Sequence, residues 1–303
     1  MRHRGDDDAM PGRPLTRASQ WLMFDAELDL ATDLARTAAA AILEVKNSAR
    51  ATSQEKADHS PVTAADLAAD RTIRAGLARF DDAVVTEETF TTGLLPARGR
   101  VWIVDPLDGT RDFVAGSADY VVQIALVVDG VPRLGVVCQP ETGRLWRGVV
   151  DGDDTRCERI DVDAHVHRYA RATTKTTTKT TTTTTTRLRL AVSVSHPSPV
   201  IDALGLALDA DLIARGSVGL KIAAILDDEA DGYVTDSHHI KVWDTAAPAA
   251  LMLAAGGSFT SLSSSPLRYD RDVAHDDGAA AFGANGGQWR ALLRQALSSL
   301  RQG

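Results

Sequence analysis

Val101-Trp102-Ile103-Val104-Asp105-Pro106-Leu107-Asp108-Gly109-Thr110 is the stretch on which the fold is read. The apolar run predicts a strand that delivers Asp105 at its C-terminal end. Pro106 has a fixed φ and no N–H, so the chain is expected to turn there. Asp108 then folds back beside Asp105, and Gly109 lets backbone approach a ligand closely. Thr110 is expected to cap a following helix whose free N–H groups face an anion. Two carboxylates, the Leu107 carbonyl and a helix N-terminus together suit a hard divalent cation plus phosphate. A capped turn with surface aspartates is the plain alternative, and the order of the whole run weighs against it.

Outward from this run the pattern alternates between helix and strand. Leu30, Leu34, Ala38, Ile42 and Val45 recur at helical spacing from Ala26 onward. Residues 64–80 read as a second helix through Leu67, Ile73, Leu77 and Phe80. Residues 120–128 and 134–138 read as a hairpin turning at Gly130. Strands are expected at 188–195 and 233–235, and helices at 222–230, 245–255 and 289–300. This is a layered α/β (α+β) pattern with two lobes. The expected division is a loose tail over 1–22, an N-terminal lobe over 23–165, a Thr/Lys insertion over 166–187 and a C-terminal lobe over 188–303. Met23 offers an alternative start. Residues 173–186 are threonine broken only by Lys175 and Lys179, which predicts a solvated insertion; pairing as a strand is the alternative.

The 303 residues correspond to about two typical domains. A hydrophobic fraction of 44% with 24% charged residues excludes a chain disordered throughout. No window approaches a membrane span, and the first 20 residues lack the apolar core of a secretory signal. Cys138 and Cys157 make no disulfide framework, so two thiols in a reducing cytoplasm are expected. A net charge of −8 argues against a nucleic-acid polymer as partner, the Thr/Lys tract notwithstanding.

Three more segments follow in order. Lys56-Ala57-Asp58-His59-Ser60-Pro61-Val62-Thr63-Ala64-Ala65-Asp66 precedes the second helix. Thr86-Glu87-Glu88-Thr89 follows an apolar pair, and Val242-Trp243-Asp244-Thr245-Ala246-Ala247-Pro248 opens a helix ending in Ala254-Ala255-Gly256-Gly257. With the first run, these resemble the signatures of the inositol-monophosphatase-like superfamily of Mg²⁺-dependent, lithium-sensitive phosphatases. The resemblance implies an α-β-α-β-α sandwich and two or three Mg²⁺ ions per site. It implies that Glu87, Asp105 and the Leu107 carbonyl hold the activating ion, and that Asp105 is shared with a second ion on Asp108 and Asp244. It further implies that Asp66 hydrogen-bonds Thr110, that Thr110 and Glu87 deprotonate the attacking water, and that the Gly109 and Thr110 amides hold the phosphate.

Gly216-Ser217-Val218-Gly219-Leu220-Lys221 and Ser193-Val194-Ser195-His196 resemble segments of the 3'(2'),5'-bisphosphate nucleotidase branch. The first reads as a Gly-rich turn where backbone approaches a ligand. Lys221, Ser217 and Gly219 are therefore expected at a second phosphate, and His196 near the nucleotide. The implied reaction removes the 3'-phosphate of 3'-phosphoadenosine 5'-phosphate, with sulfur metabolism as its setting. An inositol-1-phosphatase or a broad sugar-phosphate phosphatase is the alternative, and a non-catalytic nucleotide-binding relative the third reading. A homodimer is left open. His238 and His239 match no zinc spacing and read as loop residues. Arg187 and Arg189 read as a solvated charge run.

Deleting residues 173–186 is expected to leave the melting temperature and activity nearly unchanged, because loop-closure entropy rises slowly with length. A fall in Tm of more than about 8 °C, roughly 2–4 kcal/mol for a chain of this size, would show that the tract is packed.

Overall fold

The run that carries Asp105 lies between two layers, so it is apolar on both faces rather than alternating. Trp102 and Val104 belong to one buried cluster, Val101 and Ile103 to another. The computed structural model describes residues 24–48, 53–55, 61–152, 154–170, 187–284 and 286–300. The N-terminal tail, the threonine tract and Lys56 to Ser60 of the first motif lie outside the described residues.

The first half contains α1 (Asp25–Asn47), β1 (Ser53–Glu55), β2 (Pro61–Thr63), α2 (Ala64–Leu77), β3 (Ala83–Thr86), β4 (Arg100–Asp108), α3 (Thr110–Val114), β5 (Val121–Val128), β6 (Val131–Cys138), β7 (Leu145–Asp151), β8 (Asp154–Ile160) and β9 (Val166–Tyr169). The second contains β10 (Arg189–Ser193), α4 (Pro199–Ala207), β11 (Asp211–Arg215), α5 (Val218–Leu226), β12 (Gly232–Thr235), α6 (Val242–Ala254), β13 (Ser258–Thr260), β14 (Ala279–Phe282) and α7 (Gly287–Leu300). Strands β3 to β9 form one sheet in sequence order, antiparallel except for the parallel β3–β4 pair. The other large sheet has the order β11-β10-β12-β14-β13, its first three strands parallel. Helices α1 and α2 cover the outer face of the first sheet, α5 and α6 fill the space between the sheets, and α4 and α7 cover the second. This is the layered α+β sandwich, α-β-α-β-α.

The helical spacing of α1 buries Leu28, Ala31, Leu34, Ala35, Ala38 and Ile42 on one face. A capping box, with Thr63 and Asp66 exchanging hydrogen bonds, starts α2. That helix ends at Leu77 rather than Phe80, and Phe80 instead stacks on Trp102. The hairpin turns at Asp129 and Gly130, with φ of 50° and 76°. The helix expected after the decisive run is present as α3, whereas strands β1, β2, β3, β7, β8, β9, β11, β13 and β14 and helix α4 were not expected from the sequence pattern.

Two expectations about the decisive run need correction. The chain does not leave the sheet at Pro106. Asp105 pairs with Gln123 and Asp108 with Val121, so β4 spends three steps where β5 spends two. This is a bulge of one extra residue, and Pro106 sits inside it, where no ladder donor is required. Residues three apart on a regular strand face opposite sides; the bulge brings Asp105 and Asp108 together. The cap of α3 is Gly109, in the left-handed region at φ 99°, and not Thr110.

Helix α6 lies close against the first sheet because its facing side is alanine and two sheet positions are glycine. A Cβ on Gly135 would lie 2.4 Å from the Ala247 carbonyl oxygen and 2.9 Å from the Ala250 methyl. Gly135→Ala is therefore expected to push α6 outward and destabilise by roughly 1–3 kcal/mol, read as a Tm lower by several degrees. Gly287→Ala, where nothing lies within 4 Å, should leave Tm unchanged or slightly raised. Equal Tm values for the two variants would contradict the close approach.

Candidate metal and phosphate site

The β4 bulge places Asp105 and Asp108 at the mouth of the space between the sheets, and the first turn of α6 adds Asp244. One carboxylate oxygen from each of the three lies within 4.8 Å of the others. Asp105 is buried, and its Oδ1 accepts from the Leu107 N–H at 3.0 Å. Asp108 Oδ2 accepts from Gln123 Nε2 at 2.7 Å, Val218 N at 2.8 Å and Gly219 N at 3.4 Å. Asp244 Oδ2 accepts from the Lys241 N–H at 2.6 Å, the reciprocal bond at the start of α6. Burial pushes the Asp108 carboxyl up to about 6; Lys221 and the two amides oppose that rise, and Glu87 adds to it. Asp244 is also raised, first by burial and then by the Asp108 charge.

Glu87 follows β3, its N–H donating to the Val104 carbonyl at 3.1 Å. It stands outside the three-carboxylate group but close enough for its charge to act on Asp108 and Asp244. Thr110 Oγ1 lies 3.0 Å from Asp66 Oδ1 and 3.0 Å from the Leu107 carbonyl oxygen. The other oxygen of Asp66 accepts from Thr63 N at 2.8 Å and Thr63 Oγ1 at 2.5 Å, which sets the carboxylate at the head of α2. Gly109 has no room for a side chain: a Cβ would lie 2.8 Å from the Asp119 carbonyl oxygen. The turn at Gly109 therefore packs against the residues leading into β5.

The second-lobe residues are placed otherwise than the Gly-rich pattern suggests. Gly216 and Gly219 give close approach to protein. A Cβ on Gly216 would lie 2.2 Å from the Asp119 carbonyl oxygen, and one on Gly219 would lie 2.9 Å from both Val121 and Val137. Ser217 Oγ caps α5 by accepting the Leu220 N–H. Lys221 is buried, donating to the Gly216 carbonyl at 2.5 Å and the Ser217 carbonyl at 3.1 Å, with the Tyr233 ring 5.7 Å away. Burial pushes its ammonium down to about 8 against the pull of Asp108, Asp112, Asp244 and Asp119. Two of the three ammonium donors are taken by the turn and the side chain is buried, so an outward-facing second-phosphate cation at Lys221 is not what the fold presents. His196 sits at the edge, its Nε2 3.1 Å from Arg111 Nη1. Beside it Ser195 Oγ donates to Asp112 Oδ2 at 2.9 Å. The Ser193–His196 turn thus ties the second sheet to α3.

Gln123 escaped the sequence reading, although a lone polar residue in Val-Val-Gln-Ile-Ala-Leu-Val-Val was its signal. Asp112 and Asp119, the partners of the second-lobe turns, carried no local signal. His238 rests on the Asp276 carbonyl and stands outside the group of three carboxylates. Arg187 pairs with Asp209 and Asp211, and Arg189 with Asp228 and Asp231, so their charge is matched on the protein. Both cysteines are buried and free. Among the described residues no helix is long and apolar enough to cross a membrane.

Comparison with known proteins agrees with this geometry. Residues 25–302 match the profile of the inositol monophosphatase family. The chain is 34% identical over 274 residues to a 3'-phosphoadenosine 5'-phosphate phosphatase of Mycobacterium leprae, covering 82% of this chain and 87% of that protein. It is 39% identical over 132 residues to the 3'(2'),5'-bisphosphate nucleotidase CysQ of Escherichia coli K12, covering 40% of this chain and 54% of that protein. The crystal structure of CysQ from Bacteroides thetaiotaomicron superposes with a TM-score of 0.70 at 26% identity, covering 87% of this chain and 99% of that one. Carboxylates gathered from β4 and α6, a Thr–Asp pair beside them and a family match spanning nearly the whole chain lead to one conclusion: the protein belongs to the inositol monophosphatase family of phosphatases.

Proposed function

We propose that the chain is a Mg²⁺-dependent phosphomonoesterase that removes the 3'-phosphate of 3'-phosphoadenosine 5'-phosphate. The observation that carries the metal part is the convergence of Asp105, Asp108 and Asp244 within 4.8 Å. Their donor set is all oxygen, which suits a hard cation. Beside it the buried Gln123 Oε1 has no protein partner among the described residues, as a site completed by an ion and its waters would leave it. The substrate part is supported by the likeness to the Mycobacterium leprae phosphatase along most of both chains.

Bound Mg²⁺, two or three ions per site, would neutralise the phosphate ester and lower the pKa of water. The chain's own residues do the rest. Asp105, Asp108 and Asp244 would hold one ion, and Asp105 with Glu87 and the Leu107 carbonyl would hold another, so Asp105 would be the side chain shared by both. Thr110 and Asp66 form a proton path: the hydroxyl receives a proton from the attacking water and passes its own to Asp66 Oδ1. Thr63 keeps that carboxylate aimed at Thr110. The amides of Gly109 and Thr110 orient the phosphate. Lys221 supports the turn that donates to Asp108.

A different phosphate ester is the second reading. A histidinol-phosphatase of Chlorobaculum parvum is 39% identical over 122 residues, covering 40% of this chain and 47% of that protein. Phosphate release from 3'-phosphoadenosine 5'-phosphate, inositol 1-phosphate and histidinol phosphate, with Mg²⁺ and with EDTA, separates the readings. The bisphosphate nucleotide should react fastest, EDTA should abolish release, and Li⁺ should inhibit; preference for another ester would move the assignment to that ester.

Asp105→Asn is expected to lower activity by at least ~10³-fold, since charge stabilisation of several kcal/mol is forfeited at both ions. A variant retaining one tenth of wild-type activity would contradict the shared-ligand role. Lys221→Met should lower phosphate release from bisphosphate and monophosphate substrates alike; a loss confined to the bisphosphate would restore Lys221 as a second-phosphate contact.

A further inference from the structure

Gln123 is a fully buried polar side chain in the middle of an apolar strand. An amide buried in such a place costs free energy unless both of its ends are used. Its N–H end is used: Nε2 donates to Asp108 Oδ2 at 2.7 Å and lies 3.5 Å from the Asp244 carbonyl oxygen. Its backbone pairs with Asp105 across the β4–β5 ladder. One residue therefore touches the residue or carboxylate of each of the three clustered ligands. Its other end is unused, because Oε1 is buried with no hydrogen-bond partner among the described residues.

The strand pattern explains how it gets there. Val121, Ala125 and Val127 face the layer that holds α5 and α6, while Val122, Ile124 and Leu126 face α1 and α2. Gln123 falls on the first of these faces, directly across from Asp105. An apolar residue would pack there at no polar cost. A carboxylate would add a further negative charge to a group that already repels itself. A neutral amide brings a donor to Asp108 and keeps an acceptor in reserve.

We propose that Gln123 is a positioning residue of the metal site. Its amide N–H fixes the Asp108 carboxylate, and its Oε1 accepts a hydrogen bond from a water carried in with the ion. The inference rests on the reading of Asp108 as a metal ligand. Partners that orient ligands in this way typically account for about 10–100-fold in metal affinity.

Gln123→Leu separates this role from a structural one, because the two move stability and metal affinity to different extents. The variant removes one of three donors to Asp108 Oδ2 together with an unpartnered buried amide oxygen, so the Tm without metal should fall by no more than a few degrees. The Mg²⁺ concentration that half-saturates the thermal upshift, and that for phosphate release, should both rise tenfold or more. The turnover number at saturating Mg²⁺ should stay within about fivefold of wild type. Gln123→Met, whose flexible chain fills the same space, should behave alike and covers a failure of the leucine variant to fold. Ile124→Val, on the opposite face, should lower Tm slightly and leave the Mg²⁺ dependence alone. If both Gln123 variants keep wild-type Mg²⁺ half-saturation, whatever their Tm without metal, Gln123 is structural and the inference falls. If wild-type Tm and activity ignore Mg²⁺, the metal reading itself falls and takes the inference with it.

Discussion

Three carboxylates held within 4.8 Å of one another in a buried cleft repel each other, and the surrounding structure is organised around that repulsion. Two unit charges at this distance cost about 3–4 kcal/mol at an effective dielectric constant of 20. Protein alone relieves part of it. The amides of Val218 and Gly219 and the side chain of Gln123 converge on Asp108, the Lys241 amide holds Asp244, and the Leu107 amide holds Asp105. Burial and the remaining mutual charge still raise Asp108 and Asp244. A divalent cation would relieve what is left, and ion binding would then be linked to the stability of the cleft.

The constraint explains features that are otherwise unrelated. The bulge in β4 is needed to bring two aspartates three positions apart to one side of a sheet. Gly135 lets α6 approach until Asp244 reaches them, and Gly216 lets the turn before α5 reach Asp119 while its neighbours donate to Asp108. The three carboxylates come from both halves of the chain, and the halves are also joined by Ser195 on Asp112 and Arg111 on His196. A lesion in either sheet therefore bears on the same cluster.

Much of this was legible in the sequence where local pattern and chemistry agree. The strand that carries Asp105, the hairpin at Gly130 and the helix opened by Trp243 and Asp244 each carried a pattern and a punctuating residue. The fold class followed from their alternation and from the family resemblance. What escaped depends on partners distant in the chain. Pro106 suggested an exit from the sheet because a bulge looks, locally, like a turn. Gly216, Gly219 and Lys221 looked like a ligand-binding turn because nothing local reveals Asp119, Val121 or Val137 pressed against them. Gln123 was visible as an anomaly, but its meaning required knowing that the bulge brings the Asp108 carboxylate to its amide. Strands β7 to β9 carry arginines paired with acidic residues elsewhere, such as Arg147 with Asp29 and Arg159 with Asp227, so their polar pattern concealed them.

A cluster built to hold cations should show them directly when a bound ion is located. Crystals equilibrated with Mn²⁺, a scattering substitute for Mg²⁺ with the same preference for oxygen ligands, would be examined for anomalous difference density. The account predicts a peak coordinated by Asp105, Asp108 and Asp244 at about 2.0–2.2 Å. Density at other acidic groups with none at this cluster would contradict it.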